Sequence, residues 1–430
     1  MVEKFDVIVV GAGLAGATAA YTAAKAGRQV LLVERGGQAG AKTVSGGLLY
    51  AHSLARLFPE FWKEEPSPVE RAISRNVLSM LTPTQATSLD FYDAAFAQPP
   101  FNAFSVLRSR FDPWLARKAE EAGALAVYGS RVDDVVRDGG RVVGIRAGDD
   151  ELHASVVILA EGFNAVVARK AGLRNDGAGR TSAIGVKQVI GLPPGEVERR
   201  FQLKGREGMQ LTTVGFPPGL EGGAFLYTNQ DSLSLGIILN MADVAKHQTA
   251  VYEVLEEFKQ HPLIERYLDG GTLLEYSGCF VMEGGAREIP PLAGDGYLLA
   301  GSEGGFFLNT GFTLRGMDFA IESGHLAGEV AAEAVAANDA SVHFLRRYRE
   351  RLEASFVLRH LETYRKYPSV FANPRLYHLY PQITATLLHR AYFVDAQDRP
   401  HLLQMLRDSA RGNASLLTVG RDLFTALRAL

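Results

Sequence analysis

Phe5-Asp6-Val7-Ile8-Val9-Val10-Gly11-Ala12-Gly13-Leu14-Ala15-Gly16 opens the chain, and Gln29-Val30-Leu31-Leu32-Val33-Glu34 follows it. The first apolar run has the length of a buried strand and feeds straight into a glycine turn. The alanine-rich stretch to about Ala26-Gly27 has the composition of a helix, and the second apolar run ends on an acid. The spacing predicts strand, glycine turn, helix, strand, acid, which is a dinucleotide-binding fingerprint in its full context. Gly11 permits the tight turn, Gly13 lets a pyrophosphate come up to the backbone, and Gly16 lets the helix pack on the strand. The helix N-terminus, at Leu14 and Ala15, then offers unpaired N–H groups and partial positive charge to the phosphates. Glu34 stands eighteen residues past Gly16, where a carboxylate accepts hydrogen bonds from ribose hydroxyls. The competing reading is a βαβ unit whose glycines serve packing alone.

Working outward, 430 residues suffice for a large core and for two domains. A hydrophobic content of 47% with 22% charged residues is that of a soluble globular protein. The net charge of −3 supplies no basic field for nucleic acid. Cys279 is the one cysteine, which excludes an internal disulfide and a four-cysteine cluster within this chain. Glu3, Lys4 and Asp6 do not make the basic region of a secretory signal, and no run of eighteen apolar residues suggests a membrane span.

After Glu34-Arg35, a glycine-rich loop from Gly36 to Gly47 carries Lys42, Ser45 and Gly46 and can turn backbone amides towards a bound nucleotide. A plain surface loop is the alternative. Prolines 59, 66, 68, 83, 99 and 100 break residues 48–107 into short pieces. Asp112-Pro113 reads as an N-cap followed by proline at the first helical position, in a helix that opens near Arg108 and runs to Glu121. Ala126–Tyr128, Arg131–Val136 and Arg141–Arg146 read as short strands. Ala154–Ala160 is a third apolar run that ends in Glu161-Gly162, beside the nucleotide site. Gly185–Ile190, Gln210–Gly215, Ala224–Thr228 and Leu233–Asn240 read as an antiparallel meander, followed by an amphipathic helix from about Val251 to Phe258. Gly296–Ser302 is a further strand with a glycine turn, and a helix runs from about Gly316 to Ala337 behind a glycine loop. The rest is mostly helical. Tyr377, Tyr380 and Tyr392, with Leu376, Leu379, Leu387 and Leu388, form either the core of that tail or a face for a membrane or partner. His52, His247, His261, His325 and His360 lack metal-ligand spacing and read as structural or exposed.

Three stretches resemble one family. They are Ala41-Lys42-Thr43-Val44-Ser45-Gly46-Gly47-Leu48-Leu49-Tyr50, then Glu275-Tyr276-Ser277-Gly278 on to Pro290-Pro291, and Leu308-Asn309-Thr310-Gly311-Phe312-Thr313-Leu314-Arg315-Gly316-Met317-Asp318-Phe319-Ala320-Ile321. The chain resembles, over nearly its whole length, the large FAD-dependent family of aromatic hydroxylases, geranylgeranyl reductases and electron-transfer-flavoprotein:quinone oxidoreductases, and within it the FixC group. The resemblance implies an α/β fold with a Rossmann-like FAD-binding domain of the aromatic-hydroxylase/glutathione-reductase type, an inserted antiparallel β-sheet substrate domain and a helical C-terminal tail. The boundaries expected are 1–80 with 105–182 and 275–340 for the FAD domain, 81–104 with 183–274 for the substrate or quinone domain, and 341–430 for the tail.

Carried over by residue, Gly11, Gly13, Leu14, Ala15 and Gly16 would hold the FAD pyrophosphate and Glu34, with Arg35 beside it, the adenosine ribose. Lys42, Ser45, Gly46 and Gly47 would close on the cofactor. Arg108 would lie near the phosphates, Val132 would offer backbone to the adenine, and Gly162 would lie at the strand end. Gly311, Phe312, Gly316 and Met317 would set N–H groups at the N1–C2=O edge of the flavin, where reduction brings negative charge. Two positions depart from the family: Glu161 replaces an Asp, and Gly301-Ser302 replaces Gly-Asp, whose carboxylate binds the ribityl chain.

The function implied is a flavin oxidoreductase that needs no catalytic acid or base. It would pass electrons from an electron-transfer-flavoprotein pair of the FixAB type to membrane quinone, within a bifurcating FixABCX-type complex. A small ferredoxin-like iron–sulfur subunit of the FixX type would supply the cluster this chain cannot hold. Its location would be cytoplasmic, peripheral on the inner face of the cell membrane. The alternatives are a stand-alone geranylgeranyl-type isoprenoid reductase, an aromatic monooxygenase and a non-enzymatic FAD-binding scaffold.

Overall fold

The computed structural model describes residues 4–42, 46–174, 182–216, 219–410 and 415–430. Two large sheets organise them. In the first, the strands Tyr297–Leu299, Asp150–Leu159, Lys4–Val10, Val30–Glu34 and Leu125–Tyr128 lie side by side in that order, each neighbouring pair parallel. Most of these strands are the apolar runs of the sequence. A parallel sheet covered on both faces needs such continuous hydrophobicity, and Val7, Ile8, Val9, Leu32, Val157 and Ile158 have no exposed surface. From Lys4–Val10 the chain order runs outward one way through Val30–Glu34 and the other way through Asp150–Leu159. In an open α/β sheet, the crevice at such a reversal is where the ligand binds.

The helix Leu14–Lys25 is buried over most of its length, and its Ala, Gly and Thr side chains allow that. The sheet covers one side and the helix Met317–Ala336 the other. Gly324 and Gly328 set how close the second helix comes. A Cβ on Gly324 would stand 2.2 Å from the Ala15 carbonyl oxygen, and one on Gly328 would stand 2.6 Å from that of Ala19. The pairings Ala15–Gly324 and Ala19–Gly328 advance together, so the helices run in the same direction. Gly324 is seven residues into its helix and Ala15 one residue into its own. At 1.5 Å per residue, the N-terminus of the second helix overhangs that of the first by about 9 Å.

The second sheet has the order Thr272–Met282, Ser182–Gly191, Ser232–Asn240, Gly222–Thr228, Glu207–Val214, Ala72–Leu81, Ala103–Val106, Gly47–Tyr50, with Ala86–Tyr92 beside Ala72–Leu81. Every pair is antiparallel except Glu207–Val214 with Ala72–Leu81, which is parallel. The boundaries expected at 80/81 and 274/275 assign Ala72–Leu81 and most of Thr272–Met282 differently from their hydrogen bonding, which places both in this sheet. One face is covered by the helices Val251–Gln260 and Pro262–Leu268, through Leu255, Phe258 and Ile264. Leu48, Tyr50, Phe225 and Tyr227 form a separate cluster.

Two local expectations change. The helix Arg108–Glu121 begins five residues before Pro113, with Leu107 as its cap. Asp112 is therefore inside it, buried, where its carboxylate takes the two-pronged guanidinium of Arg108. The strand expected at Arg131–Val136 runs from Asp134 to Asp138. In the tail, Tyr348, Leu352, Val357 and Leu361 are buried with the helix Met317–Ala336 in the main core. The tyrosine cluster divides: Tyr377 is buried, whereas Tyr392 is 83% exposed. Asp422 ties the last helix, Leu416–Ala429, back to Arg375 at 2.6 and 2.9 Å and to Asn373 at 2.9 Å. No helix among the described residues is long and apolar enough to cross a membrane.

Candidate functional site

The first glycine loop follows from strand geometry. Gly11 leaves the strand at φ +97°, and a Cβ there would stand 2.6 Å from the Ala160 carbonyl oxygen. A Cβ on Gly16 would stand 1.8 Å from the carbonyl oxygen of Gly11. Both are glycine because the protein fills the space. Gly13 is different: nothing in the protein lies within 4 Å of where its Cβ would be. Gly13 is also the N-cap, with no side chain capping the helix and no acid in its first turn. The N–H groups there are the orphans of a helix end and present a surface for an anion. Open space at Gly13 and uncapped N–H groups fit the diphosphate of a dinucleotide.

Glu34 is buried at the end of its strand, and both carboxylate oxygens already accept backbone N–H groups. Oε2 takes Ala12 at 2.9 Å and Oε1 takes Gly36 at 2.7 Å. It thereby fixes the two loops that flank it, while each oxygen keeps a lone pair for a ribose hydroxyl. Arg35 and Lys42 are exposed, and Ser45 lies outside the described residues. Val132 is buried in the loop after Leu125–Tyr128. Arg108 sits close by but is paired with Asp112, so its charge is largely neutralised before any phosphate is considered.

The last loop is brought onto the first. Gly301, at φ +68°, lies against Ala15, where a Cβ would stand 2.7 Å from the Ala15 Cβ, and its N–H donates to Ser323 Oγ at 3.0 Å. Ser302 is exposed. Glu303 is fully buried, and its Oε2 accepts the N–H of Glu161 at 2.7 Å. The carboxyl one residue after Ser302 is thus turned away and does not replace the family's Asp. Burial, with Glu161 beside it, holds Glu303 well above the usual carboxylate range. Glu161 itself accepts the N–H groups of Val167 at 3.0 Å and Ala168 at 3.1 Å, which organises the short helix Val166–Lys170. Gly162, at φ +85°, faces open space.

Gly47 and Met317 meet: a Cβ on Gly47 would stand 2.9 Å from Met317 Sδ. Gly316 caps the second helix with no side-chain hydrogen bond. Gly46 is held by Lys187, whose Nζ donates to its carbonyl at 2.9 Å from above the Phe225 ring. Burial pushes the Lys187 ammonium below its ordinary range. Gly311 turns the tip of the hairpin Leu308–Asn309/Leu314–Arg315, and Phe312 on that tip is 57% exposed.

Beside this hairpin is a cavity of about 590 Å³, lined by Tyr50, His52, Asn102, Leu308, Thr310, Phe312, Thr313, Arg315, Phe356, His360, Tyr364 and Leu430. Arg315 is its fixed point. Its Nε donates to Asp318 Oδ2 at 2.9 Å, Nη2 donates to the same oxygen, and Nη1 donates to His360 Nδ1 at 2.7 Å. The guanidinium lies over the rings of Phe319, Phe356 and Tyr50. His52 Nε2 approaches Asp318 Oδ2 at 3.3 Å. Two histidines 308 residues apart in the chain therefore share one Arg–Asp pair, a juxtaposition with no sequence signature. His261 is structural as expected: it is buried, contacts the Thr82 carbonyl oxygen and accepts the N–H of Leu263. Among the described residues, no cluster of three metal-ligating side chains occurs.

Comparison with known proteins supports the nucleotide reading. The sequence model of the family described as FAD dependent oxidoreductase matches residues 6–255. A probable electron transfer flavoprotein-quinone oxidoreductase of Escherichia coli K12, YdiS, is 43% identical over 428 residues, 99% of either chain. Protein FixC of Escherichia coli O157:H7 is 42% identical over 403 residues, 94% of this chain and 93% of FixC. A geranylgeranyl bacteriochlorophyll reductase-like protein from Thermoplasma acidophilum superposes with a TM-score of 0.72 at 21% identity, covering 98% of this chain and 99% of that one.

Proposed function

This chain belongs to the FAD-dependent oxidoreductase family, and from that premise we propose that it passes electrons from an electron-transfer-flavoprotein pair to a membrane quinone. The observation that carries the reading is the end-to-end likeness, at 43% identity, to a relative whose name states that reaction. FAD, when bound, supplies the redox chemistry; the chain supplies position and surroundings. Gly11 to Gly16 would hold the diphosphate and Glu34 the ribose. Gly46, Gly47, Gly311, Gly316 and Met317 would border the ring. The 9 Å overhang of the second helix N-terminus suits a cofactor whose diphosphate and ring lie apart. Gly162, Gly301, Ser302, Arg108 and Val132 complete the proposed contacts.

The chain would work as the FAD subunit of a FixABCX-type bifurcating complex. With Cys279 alone it cannot ligate a four-cysteine cluster, so a ferredoxin-like subunit would bring one. The isolated polypeptide should contain no stoichiometric iron or acid-labile sulfide, by metal analysis. Tyr392, Phe393, Leu417, Phe424 and Leu427 leave apolar surface on the tail, which suits peripheral attachment where the quinone is dissolved. Carbonate washing should then release the protein from membranes without detergent.

A stand-alone isoprenoid reductase is the second reading, favoured by the fold of the Thermoplasma relative alone. The separating experiment offers the reduced protein either a short-chain quinone or geranylgeranyl diphosphate and analyses the products. Quinol with no change in the prenyl chain is expected. Saturation of the prenyl chain with no quinol would reverse the assignment.

A further inference from the structure

Resting on the quinone reading above, we infer that the cavity between the Leu308–Arg315 hairpin and the tail helix Phe356–Thr363 binds the quinone head group, with His360 as a hydrogen-bond donor to one carbonyl oxygen. The argument begins with the proton on that ring. Arginine has donors and no acceptor, so Arg315 Nη1 at 2.7 Å must donate to His360 Nδ1. An imidazole that accepts at Nδ1 is neutral and carries its proton on Nε2. The Nε2–H is therefore a donor, and no group among the described residues accepts from it. Burial and the adjacent guanidinium also hold His360 below its ordinary range, which keeps the ring in this form.

The charge of the cavity selects the ligand. No Asp or Glu side chain lines it. Its one cation, Arg315, is paired with fully buried Asp318, so an anion gains little. What remains is a ring of neutral donors, including Tyr50 and His360, set among the rings of Phe312, Phe356 and Tyr50. That suits a flat, neutral ring bearing carbonyl acceptors, and about 590 Å³ lies within the range of small-molecule sites. One wall is the Gly311–Met317 segment proposed to border the flavin. Another includes Leu430, which follows the helix whose Leu423, Phe424 and Leu427 are exposed.

The test titrates the FAD-loaded protein with decylubiquinone by equilibrium dialysis, so the readout is binding rather than turnover. His360→Leu should weaken binding about tenfold, the loss of one buried hydrogen bond. His360→Gln retains an N–H donor and should restore it to within about threefold. If His360→Leu does not fold, a photoreactive quinone analogue on the wild type replaces it, with labels expected in peptides 308–315 or 356–364. Unchanged binding in a folded His360→Leu protein, or labels confined to a second groove lined by Gln85, Thr87, Leu388, His389 and Tyr392, would overturn the site and leave the quinone reading standing. No binding and no reoxidation by any quinone in the wild type would remove both.

Discussion

Two glycine loops lead into two parallel helices that touch along their backbones, yet the two helix entrances are built differently. At Gly13 and Leu14 the surroundings are backbone N–H groups with no capping side chain and, with Glu34 already hydrogen-bonded, little else. At Gly316 and Met317, Arg315, Asp318, His52 and His360 crowd one side of the entrance. A backbone cradle recognises a phosphate by shape and dipole, and it cannot titrate. A cluster of side chains can order donors around a second molecule. The first entrance is suited to hold a cofactor permanently, the second to meet what exchanges electrons with it.

That contrast can be broken most severely at Gly13. Gly13→Asp places a carboxylate in the space the protein leaves open at this helix entrance, and FAD content by absorbance after purification should fall to background. Gly324→Leu attacks the contact that sets the stagger of the two helices. The first added carbon already meets the Ala15 carbonyl at 2.2 Å, so a loss of about 4 kcal/mol or more is expected in denaturant melts.

Glu283 sharpens the contrast by pH. Burial, with Glu221 and Glu288 nearby, raises its carboxyl from 4.5 to about 7, and its carbonyl accepts Tyr367 of the tail. Between these pH values the folded chain holds a proton that the unfolded chain has released. Stability should therefore fall as pH rises from 4.5 through 7. Glu283→Gln should flatten that decline and raise Tm at pH above it, by calorimetry across the range. Ser302→Asp is the mildest change. It places a carboxylate where the resemblance implies an Asp and should tighten FAD by about 1 kcal/mol, measured by cofactor dissociation.

Much of the first domain was legible because its rules are local. A strand, three glycines and an acid at fixed offsets name their own partners, and continuous apolar runs mark strands buried on both faces of the sheet. Even there, sequence alone could not show that Gly11 and Gly16 answer to protein atoms while Gly13 answers to none. Asp112-Pro113 misled because the pattern of a helix start recurs inside a helix whose Asp is needed by Arg108. Four strands of the second sheet were legible as a meander, whereas Gly47–Tyr50, Ala72–Leu81, Ala86–Tyr92, Ala103–Val106 and Thr272–Met282 were not read as strands. The parallel pairing of Glu207–Val214 with Ala72–Leu81 joins segments far apart in the chain. The cavity was the least legible part. His52, Arg315 and His360 become neighbours only when the tail folds back over the hairpin.

The central claim is that electrons arrive from a flavoprotein partner and leave to a quinone. It is tested most directly by anaerobic stopped-flow of the FAD-loaded protein, following flavin absorbance. The protein is mixed with NADH, then with NADH plus the flavoprotein pair, and the reduced product is mixed with a short-chain quinone. NADH alone should reduce it slowly, because residues 11–16 are the one glycine fingerprint and FAD takes it. The pair should make reduction fast, and quinone should return the oxidised spectrum. Fast reduction by NADH alone, or no reoxidation by any quinone, would contradict the account.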